Sequence, residues 1–76
     1  MTKYNCLGFR LIKTKKGNQC FVVYAAYKDQ LTQGIACDTV FVDPAVVTGG
    51  ELKVGVNFLL SYKRNSTFVD ELAIIE

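Results

Sequence analysis

Short runs of apolar and β-branched residues, separated by polar turns, make up most of this chain. Five of these runs predict strands, at about residues 4–13, 19–27, 35–42, 56–63 and 68–75. They are rich in Val, Ile, Phe, Tyr and Thr, the residue types that favour strands. A chain of 76 residues forms one domain with one small core, so we expect a single domain over residues 1–76.

The first run and the turn after it predict a hairpin. Leu7, Phe9 and Leu11 alternate with Gly8 and Arg10, so we expect the three large apolar residues on the core face. Gly8 within the strand indicates a bend or a bulge. The turn at residues 15–18 is typical of a hairpin tip, with its glycine at positive φ.

The middle of the chain predicts a central strand and one helical turn. Residues 19–27 are apolar on both faces, which indicates a central strand or a strand covered on its outer side. Residues 43–50 carry the start and stop signals of a short helix, with Asp43 as N-cap, Pro44 at the first helical position and Gly49 at the end. The β-branched residues between them limit that helix to a single turn.

The predicted order is a hairpin, a third strand, a helical turn and a second hairpin. This order resembles the OB-fold, a five-stranded Greek-key barrel that binds oligonucleotides over strands 2 and 3, between its 1–2 and 4–5 loops. We therefore predict an all-β protein, a small five-stranded OB-like Greek-key barrel with a single helical turn between strands 3 and 4. An SH3-like barrel is the alternative.

Among small OB-folds, the chain resembles the helix-destabilising, single-stranded-DNA-binding proteins of filamentous phages. The resemblance lies in the glycine turn before residues 20–22 and in the run from residues 53–55 through Leu59 to Ile74. It implies a fold and a class of ligand, single-stranded nucleic acid. It also implies a homodimer that acts in DNA replication in a phage or mobile element.

Charge is unevenly distributed along the chain. The first 28 residues carry six basic side chains and no acidic one, whereas the other 48 carry three basic and seven acidic ones. Lys13, Lys15 and Lys16 belong to the first predicted hairpin loop, and Lys63 and Arg64 to the second. In an OB-fold these loops flank one groove, so five cations are expected along a phosphate-binding path.

Base stacking needs exposed planar side chains as well as cations. We expect Tyr24 to point outward together with Val22, and Tyr62 to act beside the second basic pair; core packing is the alternative for both tyrosines. Asn18 is suited to a phosphate contact or to the turn itself. Phe9, Phe41 and Phe58 are expected in the core. The predicted nucleic-acid-binding residues are Lys13, Lys15, Lys16, Asn18, Tyr24, Tyr62, Lys63 and Arg64.

Enzyme chemistry is not expected, because the chain has no histidine to serve as a base or a metal ligand. We expect neither a cofactor nor a metal. Cys6, Cys20 and Cys37 form no C-x-x-C pair and are predicted to be buried thiols. Asp38 on the third strand opposes the nucleic-acid hypothesis, since a carboxylate there repels phosphate unless it pairs with a lysine or points to the outer edge.

The N-terminal residues lack the apolar stretch of a signal peptide, and no run is long enough to span a membrane. We therefore expect a cytoplasmic protein without a membrane partner. Two functions remain open: binding of single strands with little sequence preference, or a phage- or plasmid-type protein-interaction module, an inhibitor or adaptor that binds through its sheet edge or apolar face.

Overall fold

A computed structural model describes residues 2–62 and 69–75, and it is all-β apart from one short helical turn. The elements follow the predicted order closely, and the second strand has the predicted bounds. They are β1 (Lys3–Lys13), β2 (Gln19–Tyr27), β3 (Ala36–Val42), a 3-10 turn (Pro44–Val46), β4 (Val47–Thr48), β5 (Asn57–Tyr62) and β6 (Val69–Ile74).

The strands form one mixed sheet in the order β3-β2-β1-β5-β6-β4. All neighbours are antiparallel except β4 and β6, which are parallel. β1, β2 and β3 are consecutive, and β5 returns to lie beside β1, which is the Greek-key arrangement. β2 lies between β1 and β3, so the prediction of a central strand is confirmed.

The predicted five-stranded closed barrel is corrected in two respects. The sheet has a sixth strand, because Val47 leaves the helical turn with extended φ and ψ and pairs with Leu72 of β6. The sheet is also open, since no ladder joins β3 to β6 within residues 2–62 and 69–75. The β-branched residues that were expected only to shorten the helix thus form a strand of their own.

The helical turn has the predicted cap. Asp43 accepts a hydrogen bond at Oδ1 from the Ala45 N–H, at 2.9 Å, and Pro44 occupies the first turn. Gly49 has a φ of 80°, and a Cβ there would collide with the carbonyl oxygen of Ile74. A glycine is therefore needed where β4 ends against β6.

A β-bulge in β1 changes which residues point to the core. The β1–β2 register shifts between Cys6 and Gly8, which places both Cys6 and Phe9 on the core face and leaves Leu7 as the extra residue. Leu7 is 51% exposed, so its predicted burial is wrong. Leu11 lies on the core face opposite Phe21 but is half-exposed, because the hairpin extends beyond the core.

The core lies between the inner faces of the two halves of the sheet. Its largest fully buried side chains are Phe58, Leu72 and Val23. Tyr4 stacks on Phe58 with ring centroids 5.5 Å apart. The predicted core position of Phe58 is confirmed, and Phe9 packs against the core while remaining partly exposed.

Candidate nucleic-acid interface

The ladder register sorts the side chains of β1, β2 and β3 into two faces. Rows such as Phe9–Val23–Val40 face the core. The rows between them point away from it, since side chains alternate along a strand. We call these outward residues the outer face: Lys3, Asn5, Gly8, Arg10 and Ile12 of β1, Cys20, Val22, Tyr24 and Ala26 of β2, and Cys37, Thr39 and Phe41 of β3.

Two aromatic rings are exposed on the outer face. Tyr24 is 39% exposed and Phe41 is 62% exposed. Tyr24 pairs with Thr39, two residues before Phe41, so the rings are diagonal neighbours within reach of one ligand. The predicted outward direction of Tyr24 is confirmed.

The predicted core position of Phe41 is wrong. Val40 and Val42 on either side of it are buried, and strand alternation therefore turns Phe41 outward. Val22 also faces outward but is only 3% exposed. Its row neighbours, Arg10 and Phe41, are larger and shield it.

The outer face carries cations without carboxylates. Arg10 and Lys3 belong to it. Asp38 lies opposite Ala25, a core residue, and so belongs to the inner face of edge strand β3. Its Oδ1 accepts a hydrogen bond from the Thr39 N–H, at 2.8 Å. The register thus places the Asp38 side chain on the face opposite to that of Tyr24 and Phe41, although Asp38 and Tyr24 both line a small pocket at the edge.

The first basic turn lies at the end of the β1–β2 hairpin, beyond the last ladder pair of Lys13 and Gln19. Lys15 and Lys16 are exposed there. Thr14 fixes the turn, since its N–H donates to Asn18 O at 2.7 Å and its Oγ1 accepts from Asn18 N–H at 3.2 Å. Lys13 lies opposite Gln19, on the face shared with Leu11, so it belongs to the other side of the hairpin from Arg10.

The structure does not bring Tyr62 together with Tyr24. β5 runs antiparallel to β1 with Leu59 opposite Lys3, so Tyr62 lies beyond the start of β1, at the end away from the 13–19 turn. Lys63 and Arg64, the other predicted residues of that loop, lie outside the described residues.

Tyr62 instead neighbours the tyrosines of the inner face. Tyr4 and Tyr27 have ring centroids 5.4 Å apart. Burial raises the pKa of the Tyr4 hydroxyl, and the neighbouring Tyr62, Tyr27 and Asp38 raise it further. Tyr62, the one described residue of the site predicted at the second hairpin loop, thus belongs to a cluster of tyrosines on the inner face.

The thiols differ in their surroundings. Cys6 is buried, and that burial raises the pKa of its thiol. Cys20 is partly exposed and Cys37 is exposed, so the prediction of three buried thiols is wrong for Cys37, which lies on the outer face. Its neighbours Ala36 and Asp38 pair with the inner-face residues Tyr27 and Ala25, so strand alternation turns Cys37 outward.

Several outer-face residues were missed by sequence reasoning. Strand alternation in the sequence could have found both Arg10 and Phe41, since Phe41 alternates with Val40 and Val42, and Arg10 alternates with Phe9 and Leu11. Lys3, Lys28 and the amide pair of Asn5 and Asn57 line a groove at the far end of the face. That grouping depends on long-range strand pairing and has no local sequence signal.

Within residues 2–62 and 69–75 no group of three or more His, Cys, Asp or Glu side chains could hold a metal ion. In the same residues, no helix has the length and apolar character needed to cross a membrane. Comparisons with protein-family models, with curated proteins and with solved structures found no match.

Proposed function

We propose that the outer face binds single-stranded nucleic acid, DNA in the first instance, with little sequence preference. The observation that carries the proposal is the combination of exposed Tyr24 and Phe41 with Arg10 on one carboxylate-free face. Rings stack on any base and cations neutralise any phosphate, so this pairing of groups favours sequence-independent binding.

The strand order supports an OB-like architecture for this function. β5 returns to β1, as in a Greek key, and the helical turn falls between β3 and β5. Oligonucleotides bind OB-folds over strands 2 and 3, and here those strands carry Tyr24 and Phe41. The return to β1 favours the OB-like order over the SH3-like alternative.

The biological role that we propose follows the resemblance to small helix-destabilising proteins. Such a protein coats single strands during replication in a phage or mobile element, as a cytoplasmic homodimer. The basic turn with exposed Lys15 and Lys16 supports the electrostatic part of this role, since concentrated positive charge attracts a polyanion.

A salt titration of oligo-dT binding tests the proposal. If three to five phosphates are neutralised, log K should fall against log salt with a slope of about −2 to −3.5. Fluorescence anisotropy of a labelled oligo-dT at several salt concentrations measures that slope. Absence of binding at low salt would overturn the proposal.

A second candidate function, protein interaction, depends on the outer edge of β3. No strand pairs with that edge in the described part of the chain, and Phe41 and Ile35 beside it are exposed. Such an edge can accept a strand from a protein partner. Binding of this kind would survive high salt, and it would be lost on changing Phe41 but kept on changing Lys16.

A further inference from the structure

A groove of about 740 Å³ opens at the end of the outer face away from the 13–19 turn. Lys3 and Lys28 line it, and its described lining contains no carboxylate. A pocket with two cations and no acid favours an anionic ligand.

An ordered pair of amides lies in the same groove. Asn5 donates from Nδ2 to the Gly55 carbonyl oxygen at 3.1 Å and to Asn57 Oδ1 at 3.0 Å. Both hydrogens of the Asn5 amide are thereby used, and the oxygen of Asn57 is occupied. The Asn57 Nδ2 group remains as a donor for a ligand in the groove.

Apolar side chains form the remaining wall. Leu7 and Ile35 line the groove and are 51% and 73% exposed. The β1–β2 register shifts at Leu7, and half-buried Ala26, which pairs with Asn5, also lines the groove. Exposed apolar area beside an amide donor and two cations fits a ligand that has a flat ring as well as a negative charge.

The nearest acid in the sequence is turned toward its own loop. Asp29 follows Lys28, but its carboxylate accepts hydrogen bonds from Thr32 Oγ1 at 2.7 Å and from Leu31 N–H at 3.4 Å. Asp29 therefore has its hydrogen-bond partners within its own loop, and it is not among the residues that line the groove.

We propose that this groove holds one nucleotide of a strand bound along the outer face. Its phosphate contacts Lys3 and Lys28, its base packs against Leu7 and Ile35, and Asn57 donates to an acceptor on the base edge. The assignment rests on the proposed function. It extends the path of the strand from Lys15 and Lys16 over the length of β2, whose nine residues span roughly 30 Å.

The first experiment compares salt slopes for oligo-dT binding. The double variant Lys3→Gln/Lys28→Gln should flatten the slope by about 0.7, since both lysines contact the same phosphate and each neutralised phosphate contributes about 0.7. Lys53→Gln is the matched control, because Lys53 is exposed, lies outside the groove lining and is 3.9 Å from Glu51. An unchanged slope in the double variant would overturn the assignment.

The second experiment uses NMR with thymidine 5′-monophosphate as the probe. The nucleotide should shift the NMR resonances of the Asn57 side-chain amide and of the backbone amides around Leu7 and Ile35. Ala26→Leu should suppress those shifts, because a larger side chain at this lining position narrows the groove. Thymidine alone and inorganic phosphate alone should each bind more weakly. Equal shifts with phosphate alone would overturn the nucleotide assignment.

The two proposals fail in different ways. If oligo-dT does not bind at low salt, the proposed function itself is wrong. If oligo-dT binds, but the Lys3→Gln/Lys28→Gln slope equals that of the unchanged protein and Asn57 does not shift, only the groove assignment is wrong.

Discussion

Arg10 and Phe41 lie on one cross-strand row of the outer face, on opposite sides of Val22. Two strand spacings separate them, about 10 Å. A guanidinium and an exposed ring at this separation can contact a phosphate and a base of the same strand. Buried Val22 between them gives the row a rigid centre.

Truncation of Phe41 tests whether this row binds bases. Phe41→Ala should weaken oligo-dT binding by about 1–3 kcal/mol, the usual effect of losing one stacked base. The loss of thermal stability should be small, because the ring is 62% exposed. Anisotropy titration and thermal denaturation measure the two effects.

Leu31→Ala is the control for that substitution. Leu31 is 94% exposed in the loop after β2, so its removal should change neither affinity nor stability. A Phe41→Ala protein that unfolds, or that binds oligo-dT normally, would contradict the stacking role.

Charge reversal in the first turn separates local electrostatics from net charge. Lys16→Glu should weaken oligo-dT binding and flatten the salt slope by about 0.7. Its thermal stability should stay unchanged, because Lys16 is exposed and the turn is held by Thr14.

Lys53→Glu changes the net charge by the same amount as Lys16→Glu, but Lys53 lies beside Glu51 and not in the first turn. Its affinity for oligo-dT should stay close to that of the unchanged protein. Equal losses in Lys16→Glu and Lys53→Glu would show that net charge alone controls binding.

The local parts of the fold could be predicted from the sequence. Asp43 and Pro44 specify the helical turn through a hydrogen bond two residues along the chain, and the glycine of the first turn has the expected positive φ of 83°. The bulge was foreseen at Gly8, but its effect on Leu7 was not, because a one-residue shift reverses the face of each residue before it.

The long-range parts could not be predicted. The face on which Asp38 lies depends on its pairing with Ala25, a contact between two strands that the local sequence does not specify. The Asn5–Asn57 hydrogen bond links residues 52 positions apart. The outward direction of Tyr24 was predicted, and strand alternation could have added Phe41 and Arg10, but only the register shows that these three residues share one face.

We expect Asp38 to disfavour strand pairing at the outer edge of β3, so a partner's strand would have to displace its carboxylate from the Thr39 N–H. Its carboxylate occupies the Thr39 N–H, and a charge on the inner side of an edge strand discourages edge-to-edge pairing. Asp38→Ala should therefore increase concentration-dependent self-association, measured by sedimentation velocity. Thr32→Ala, in the preceding loop, is the control. Unchanged association in Asp38→Ala would contradict the protective role.

Stability should decline at alkaline pH because of buried Cys6 and half-buried Tyr4. Burial raises the pKa of Cys6 above 9.0 and, with neighbouring groups, raises that of Tyr4 above 10.0. Above about pH 9 the unfolded chain loses these protons first, so unfolding becomes more favourable as pH rises to the folded-state values. Below pH 9 this contribution is fully retained.

Urea denaturation at several pH values under reducing conditions measures the decline. Cys6→Ala/Tyr4→Phe removes both groups and should make stability less sensitive to pH above about 9. An equally steep decline in that double variant would assign the effect to other groups.

Alanine substitutions at Gly49 and Gly17 distinguish the cost of backbone strain from the cost of a steric collision. Both have positive φ, 80° and 83°, so alanine at either position incurs a backbone cost of about 1 kcal/mol. A Cβ at Gly17 meets nothing within 4 Å, whereas one at Gly49 collides with the Ile74 carbonyl. Gly49→Ala must therefore also displace β4 from β6. Its melting temperature should fall clearly further than that of Gly17→Ala; equal losses would mean that the contact between Gly49 and Ile74 relaxes without cost.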